Sequence, residues 1–213
     1  MKAFIINYNR LTLMQNIAQC LHDVGLDVTI VDNHSGYPPL LDWYKTCPYN
    51  VLMMDGNYGH TVFWSQHLYK SVKGERYILT DPDLDISDVP SDFVSLLSKG
   101  LDNYSNFYKC GLSLKIDDLP NTPEGDEVKG WESQFWKHKL DEEFYAADID
   151  TTLAMYREGV VYHTLNAIRT APPYSAKHIP WYYISFEELP EDEKFYYASS
   201  KTITGWAKHI KVK

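Results

Sequence analysis

Residues 1–36, MKAFIINYNRLTLMQNIAQCLHDVGLDVTIVDNHSG, decide the fold of this 213-residue chain. The apolar run 2–6 predicts a short strand that ends at the polar turn 7–10. A second run, 27–31, predicts a buried strand followed by another polar loop. Two strands separated by about 20 residues are typical of parallel pairing, because parallel strands need a crossover connection between them.

The residues between these strands have the spacing of a helix. Met14, Ile17, Leu21 and Val24 recur at intervals of three and four, which predicts one apolar face of an amphipathic helix. Gly25 follows at the position where a glycine commonly ends a helix. The segment therefore predicts a strand–helix–strand unit.

The pattern then repeats. Residues 51–54 and 76–80 are strand-like, and residues 59–72 between them are helix-like. We therefore predict an α/β fold with a Rossmann-like, mostly parallel central sheet flanked by helices.

The second half of the chain is less regular. We predict a strand, either parallel or antiparallel, at 107–116, a loop at 117–128, a helix at 131–139 and a strand at 153–156. From Thr170 on, the sequence is rich in Pro and Tyr with little periodicity. No linker composition divides the chain. We therefore predict one domain, 1–213, with a nucleotide-binding half at about 1–100 and a smaller, antiparallel acceptor half at about 101–213.

Composition excludes several classes of protein. The net charge of −9 argues against nucleic-acid binding, which needs a basic surface. No apolar run approaches the roughly 18 residues that predict a membrane span. The three isolated cysteines favour a reducing compartment, and the expected location is the cytoplasm. The 17 Tyr and 6 Trp fit either a tyrosine-rich core and surface or a carbohydrate platform.

Polar residues follow the predicted strands at the edge where α/β sheets bind ligands. Four positions share this placement: Asn7, Asp32, Asn57 and Asp81. Asp81 begins the motif Asp81-Pro82-Asp83, whose carboxylates are suited to share Mn²⁺ or Mg²⁺ while phosphate oxygens complete the coordination. The alternative is a solvated acidic turn, because Asp and Pro are both common in turns.

The order of these motifs resembles the inverting, family-2-like glycosyltransferases. The resemblance rests on FIINYNR at 4–10, VTIVDNHS at 28–35, NYGH at 57–60 and DPD at 81–83, with LDEEFYAADID at 140–150 similar to the segment that carries the family's catalytic base. It covers roughly residues 1–160, and the ordered set is more specific than any single motif. It implies a GT-A type fold and a metal-dependent transferase with a UDP-sugar donor and a glycan acceptor.

The resemblance also implies site residues. Asp83 would bind the metal directly, and Asp81 would contact the metal-bound water or the ribose. Asp148 would be the base that deprotonates the acceptor, with Asp150 second, although Ala147 stands where the family usually has Glu. The donor nucleotide would contact Asn7, Tyr8, Asn9, Arg10, Asp32, Asn33, Asn57 and Asp81.

Several of these residues have a purely structural alternative. Asp32 is also suited to cap its loop, and Asn57 to a left-handed turn. If residues 148–150 form a strand, Asp148 and Asp150 share one face, where an acidic solvated edge is ordinary.

Three late residues complete the candidate set. His178 is a candidate partner for metal or pyrophosphate, and Trp181 is suited to stack on a sugar. Arg169 would offset diphosphate charge. For His178 the alternative is a surface histidine beside a proline turn.

Two other functions compete. A sugar nucleotidylyltransferase needs a glycine-rich first loop, and residues 7–10 contain no glycine. A carbohydrate-binding module would account for the aromatic content without needing the nucleotide motifs. Within the resembled family, the chain is similar to the amino-terminal glycosyltransferase domain of a chlorella-virus protein. That likeness implies a viral protein in the host cytoplasm, part of a longer polypeptide.

Overall fold

The computed structural model describes residues 1–160, 162, 165–200 and 210. The strands are β1 (Lys2–Asn7), β2 (Asp27–Asp32), β3 (Asn50–Met53), β4 (Tyr77–Thr80), β5 (Leu84–Asp85), β6 (Lys109–Gly111), β7 (Ser113–Leu114), β8 (Phe144–Ala146), β9 (Ala154–Tyr156), β10 (Ala167–Thr170) and β11 (Ser175–His178). The α-helices are α1 (Thr12–Asp23), α2 (Pro38–Tyr44), α3 (Val62–Ser65), α4 (Phe93–Asn103), α5 (Pro123–Glu132) and α6 (Glu191–Ser199), and short 3₁₀ helices lie at Gly59–Thr61, Leu68–Val72, Ser133–Trp136 and Ile179–Tyr182.

The central sheet confirms the predicted α/β architecture. Its eight strands run in the order β3-β2-β1-β4-β9-β6-β10-β8. Strands β3, β2, β1 and β4 are mutually parallel, and β6 is parallel to β10. β9 is antiparallel to β4 and β6, and β8 is antiparallel to β10. A small second sheet has the order β5-β11-β7, with β11 antiparallel to β5 and parallel to β7.

The predicted first helix is α1. Met14, Ile17 and Leu21 are buried against the sheet, as the spacing predicts. Gly25 has φ +82°, and its N–H donates to the carbonyl of His22 at 2.8 Å. A left-handed glycine at this position ends the helix and turns the chain into β2.

The second half shows where local pattern was misleading. Residues 117–128 were predicted to form a loop, but α5 begins at Pro123, capped by the Thr122 hydroxyl, which accepts from the N–H of Gly125. The predicted helix at 131–139 is instead the end of α5 and one 3₁₀ turn. A Pro at the first helical position is a helix signal, and the acidic, glycine-containing composition concealed it.

Two further segments differ from the prediction. Residues 59–72 form a broken helix, because His67 adopts a left-handed conformation between two short turns. In the tail, α6 lies where no periodicity was found. Its start is marked by Pro190 and three successive carboxylates, Glu191, Asp192 and Glu193, which suit the first turn of a helix. Within the described residues, no helix is long and apolar enough to cross a membrane.

Candidate active site

The carboxyl ends of β1, β2 and β4 meet at one edge of the sheet. Asn7 and Asp32 are register neighbours at the ends of β1 and β2, and β4 leads directly into Asp81. The edge is therefore built by parallel pairing, which brings together residues far apart in the chain.

Asp83 is buried at this edge, with 7% of its surface exposed. Its Oδ2 is ion-paired with Nη1 of Arg10 and lies 3.6 Å from Nε2 of His178. The Asp83 carbonyl also accepts from the N–H of Ile179 at 2.9 Å, which ties the end of β11 to the motif. Burial alone would raise the pKa of Asp83, but the Arg10 and His178 charges outweigh it and hold that pKa below its ordinary value.

Two polar atoms of this pair lack hydrogen-bond partners. Asp83 Oδ1 and His178 Nδ1 are buried without one among the described residues. Burial lowers the pKa of His178, which favours the neutral ring that binds metals. The Trp181 ring packs on His178 with centroids 4.6 Å apart. The carboxylate of Asp83 suits Mn²⁺, and the imidazole nitrogen next to it is His178 Nε2, 3.6 Å from Asp83 Oδ2. No group of three His, Cys, Asp or Glu side chains arranged for a metal occurs in the described part of the chain, so the remaining ligands would have to come from a bound molecule.

Asp81 is held in place by Thr151. The threonine hydroxyl donates to Asp81 Oδ2 at 2.5 Å, and the Asp81 N–H donates to the Thr151 carbonyl at 3.0 Å. Burial and the neighbouring carboxylates of Asp83 and Asp150 raise the pKa of Asp81 well above its ordinary value. The contact brings the segment between β8 and β9 to the metal motif.

Asp32 is fully buried and already has partners. Its Oδ1 accepts from the N–H of Ser35 at 2.7 Å, and its Oδ2 accepts from the Tyr44 hydroxyl at 2.8 Å. Asn7 Nδ2 donates to the Tyr44 oxygen and to the Arg10 carbonyl, both at 2.9 Å. These bonds show the loop-capping role of Asp32, and its predicted contact with uracil stays a prediction.

Asn9 organises the turn after β1. It has φ +57°, and its Oδ1 accepts from the N–H groups of Gly36 and Tyr37 at 2.7 and 3.1 Å. Its Nδ2 donates to the hydroxyl of Ser199 at 2.9 Å. Tyr8 beside it is half-buried. The turn is thus closed by hydrogen bonds to the β2 loop on one side and to α6 on the other.

The 57–59 loop contacts the end of β2 through Asn33. Asn33 Nδ2 donates to the Gly59 carbonyl at 2.9 Å. Asn57 is exposed, and its Oδ1 accepts from the N–H of Gly59, also at 2.9 Å. Gly59, with φ +69°, is the left-handed residue of this turn, so Asn57 itself does not supply that conformation.

α6 covers the turn, a feature that the sequence did not predict. Asp192 accepts from the N–H groups of Leu11 and Thr12 at 2.9 and 2.6 Å. Glu193 lies 3.0 Å from Arg10 Nε, and the Arg10 guanidinium stacks 3.9 Å from the Tyr196 ring centroid. The short acidic run at 191–193 was the available signal.

Glu193 is fully buried, and both of its carboxylate oxygens lack hydrogen-bond partners among the described residues. Burial raises the pKa of Glu193 to about 7, although Arg10 opposes the shift. The contact of Glu193 with Arg10 is therefore a close ion pair that does not offset the effect of burial on the Glu193 pKa.

Asp148 and Asp150 lie outside any strand, between β8 and β9. Their segment is fixed by two buried cations. Lys109 Nζ donates to the carbonyls of Ile149 and Asp150, and burial lowers the pKa of Lys109 to about 8. Arg169 Nε donates to the Asp148 carbonyl at 2.8 Å. Asp148 is half-buried and Asp150 is exposed.

Arg169 joins α5 to the segment between β8 and β9 that contains Asp148. Its Nη1 is ion-paired with Glu132, both side chains being at most 5% exposed, and its guanidinium stacks 4.2 Å from the Phe135 ring centroid. The structure thus places Arg169 behind Asp148 and places Arg10 at the metal motif.

No protein-family model and no curated protein matches this sequence. Among solved structures, the chain is similar to S. aureus TarS, at 14% identity and TM-score 0.43, over 74% of this chain and 28% of that one. The chain is also similar to a 1–349 form of TarS, at 15% identity and TM-score 0.45, over 74% of this chain and 47% of that one. A third similar structure is glucosyl-3-phosphoglycerate synthase from Mycobacterium tuberculosis in complex with phosphoglyceric acid. The identity is 10% and the TM-score 0.44, over 73% of this chain and 56% of that one. The chain spans less than two thirds of each of these proteins, and at such TM-scores an activity has to be argued from the site itself.

Proposed function

We propose that this chain is a metal-dependent glycosyltransferase of GT-A type, which moves a sugar from a UDP-sugar to a hydroxyl of a glycan with inversion. The observation that carries the proposal is the pair of Asp83 and half-buried His178 beyond the end of β4, each with a buried polar atom that lacks a partner among the described residues. A buried polar atom without a hydrogen bond is costly, so such a pair calls for a ligand.

Asp83 would hold Mn²⁺ or Mg²⁺, and Asp81 would contact the metal ion through water. His178 would add a nitrogen ligand, which Mn²⁺ accepts more readily than Mg²⁺, whose ligands are oxygens. When bound, the metal ion would supply positive charge that neutralises the diphosphate as UDP leaves. Arg10 now pairs with Asp83, so the approach of a divalent cation would repel its guanidinium. We expect Arg10 to turn to the phosphate oxygens, for which its planar group is well suited.

Donor entry would require α6 to shift. Asn7, Asn9, Arg10 and Asp32 are each at most 5% exposed, and α6 bonds to this turn. The polar contacts of Asp192, Glu193 and Ser199 hold α6 there, so donor entry would have to break them in a local opening of this helix.

Asp148 is proposed as the general base. Its carboxylate would take the proton of the acceptor hydroxyl while the acceptor oxygen forms a bond to the anomeric carbon. The bond between that carbon and the β-phosphate oxygen breaks, and the electron pair leaves with UDP. Attack opposite the leaving group inverts the anomeric centre. Asp150 is the second candidate for the base, because its charge acts directly on Asp81.

A titration of UDP with and without Mn²⁺ tests the proposal. Wild type and Asp85→Ala, a control two residues beyond the motif, should bind UDP only with Mn²⁺. Asp83→Ala should lose this binding, and Asp81→Ala should weaken it less, because a water-mediated contact is partly replaceable. Equal affinity in Asp83→Ala and wild type, both folded by circular dichroism, would refute the metal site.

The preference for uracil as the nucleobase of the donor is tested by competition among UDP, GDP and CDP in the presence of Mn²⁺. A carboxylate at position 32 accepts N3–H of uracil and finds no such donor on neutral cytosine. Its existing bonds leave lone pairs for this, since a carboxylate has about four acceptor sites. We expect UDP to bind more tightly by roughly 1–3 kcal/mol. Equal affinities would leave Asp32 with its capping role alone.

A further inference from the structure

Two aromatic pairs, Trp131 with Phe135 and Trp136 with Tyr145, lie on the elements that adjoin residues 147–153, the base segment between β8 and β9, and we call the four side chains the aromatic platform. The ring centroids of Trp131 and Phe135 are 6.4 Å apart, and those of Trp136 and Tyr145 are 5.3 Å apart. Three of the four come from the end of α5 and the turn after it, and Tyr145 comes from the edge strand β8.

The platform differs in exposure from the aromatic core of the protein. Tyr77 and Tyr156 stack in the core and are at most 1% exposed, whereas Trp131 is 53% exposed and the other three platform residues are half-buried. Exposed residues at 137–139, Lys-His-Lys, border it. An exposed aromatic patch with a polar rim is a common form of binding site, because large apolar patches are otherwise covered.

The platform is joined to the proposed base through Arg169. The Arg169 guanidinium stacks on Phe135, and its Nε donates to the Asp148 carbonyl. The same side chain is ion-paired with Glu132, the last residue of α5. Tyr145 and Arg169 are register neighbours on β8 and β10, so their side chains share one face of the sheet. One buried group therefore fixes the distance between the platform and Asp148.

The base segment links the donor motif to the platform. The Thr151 hydroxyl donates to Asp81, while the Asp148 carbonyl accepts from Arg169, which is ion-paired with Glu132 of α5. α5 in turn packs against the 3₁₀ helix that follows His178. A general base has to lie within hydrogen-bond reach of the acceptor hydroxyl, and the base segment contacts both Asp81 and the arginine that stacks on the platform.

We propose that the aromatic platform binds a sugar ring of the acceptor glycan, so that a ring hydroxyl lies against Asp148. The inference rests on the proposed glycosyltransferase activity and assigns it an acceptor subsite. The apolar face of the sugar packs on Trp131 and Phe135, and its hydroxyls point to the polar rim. Arg169 acts as a positioning residue, since it touches the base segment and the platform.

Saturation-transfer NMR with methyl glycosides and the matching disaccharides tests the platform, with and without UDP and Mn²⁺. The glycosides are those of glucose, galactose, mannose, xylose and rhamnose. Wild type should transfer saturation to the ring protons of at least one of them. Trp131→Ala should bind that sugar about tenfold more weakly, which corresponds to about 1.4 kcal/mol of lost stacking. Because Trp131 is half exposed, this variant should fold normally.

Tyr108→Ala is the matched control. Tyr108 is 42% exposed, directly precedes the interior strand β6 and is not one of the four platform residues. It should leave sugar binding unchanged. Equal sugar binding in Trp131→Ala and wild type, or no saturation of any sugar by wild type, would overturn the subsite. UDP affinity in the same samples should not change with Trp131→Ala, and failure of wild type to bind UDP would count against the proposed function instead.

Discussion

Two buried arginines, Arg10 and Arg169, have similar surroundings but differ in the number of carboxylates that they contact. Each guanidinium stacks on an aromatic ring, at 3.9 and 4.2 Å, and each pairs with a glutamate from a helix. Arg169 has one carboxylate, Glu132, and a backbone carbonyl. Arg10 lies between two carboxylates, Asp83 and Glu193, and Glu193 meets it without a hydrogen bond.

The difference separates a fixed arginine from one that can exchange partners. The Glu132 carboxylate is hydrogen-bonded to Arg169, so the pair is locked. Arg10 can lose Asp83 to a metal ion and still keep a counter-charge in Glu193. We therefore expect Arg169 to matter most for stability and Arg10 most for donor binding.

The largest expected effect is the loss of stability in Arg169→Met. Removal of the guanidinium leaves Glu132 buried without a partner, which should lower the free energy of unfolding by about 3–5 kcal/mol. Urea denaturation measures it. Arg76→Met, which removes a partly exposed ion pair with Asp102, is the control and should cost less than about 1 kcal/mol. If Arg169→Met lowers the free energy of unfolding by less than about 1 kcal/mol, Arg169 is not the stabilising arginine that the comparison with Arg10 requires.

The next effect is on the pH dependence of stability, through Glu193. Its folded pKa of about 7 lies above its ordinary 4.5, so its contribution is complete below about pH 4.5 and is lost as the pH rises through 7. The unfolding free energy of wild type relative to Glu193→Gln should therefore fall by about 3 kcal/mol between pH 4.5 and 8. Urea titrations across that range test it.

The exposed Glu191 provides the control for this titration, and Glu191→Gln should show no such trend against wild type. A difference between wild type and Glu193→Gln that does not change with pH would show that Glu193 is charged throughout. Glu193 would then hold Arg10 in place in the same way that Glu132 holds Arg169.

A smaller effect is expected on catalysis, where Asp148→Asn should lower the transfer rate about a hundredfold or more, or about 2.7 kcal/mol, with UDP affinity unchanged. Single-turnover transfer assays measure it. If Asp148→Asn is active and Asp150→Asn is inactive, the base is Asp150. If both variants are active, inversion through a base in this segment is wrong.

The smallest effect distinguishes the arginines directly. Arg10→Met should weaken the binding of UDP in Mn²⁺ about tenfold, or about 1.4 kcal/mol, because one phosphate contact is lost. It should destabilise the fold less than Arg169→Met, since Glu193 can take up a proton. Calorimetric titration of both variants with UDP in Mn²⁺ measures the binding, and urea denaturation of both measures the stability. Weaker UDP binding in Arg169→Met than in Arg10→Met would reverse the assigned roles.

The sequence alone determined the first half of the fold and the edge where the candidate site lies. The alternation of β1, α1 and β2 is a local pattern, and period and turn residues encode it directly. The position of Asp81-Pro82-Asp83 after β4 was predicted for the same reason. Parallel pairing then obliges the ends of those strands to meet.

Only the tertiary structure decided what each site residue contacts. Glu193 meets Arg10, and Lys109 meets the Asp150 carbonyl, through packing between distant segments that leaves no periodic trace. α5 and α6 were missed because their acidic composition hides a weak amphipathic pattern. The Asp81-Pro82-Asp83 motif was visible because it is contiguous, whereas His178 is brought beside Asp83 by the pairing of β11 with β5, a long-range contact that the chain forms only on folding.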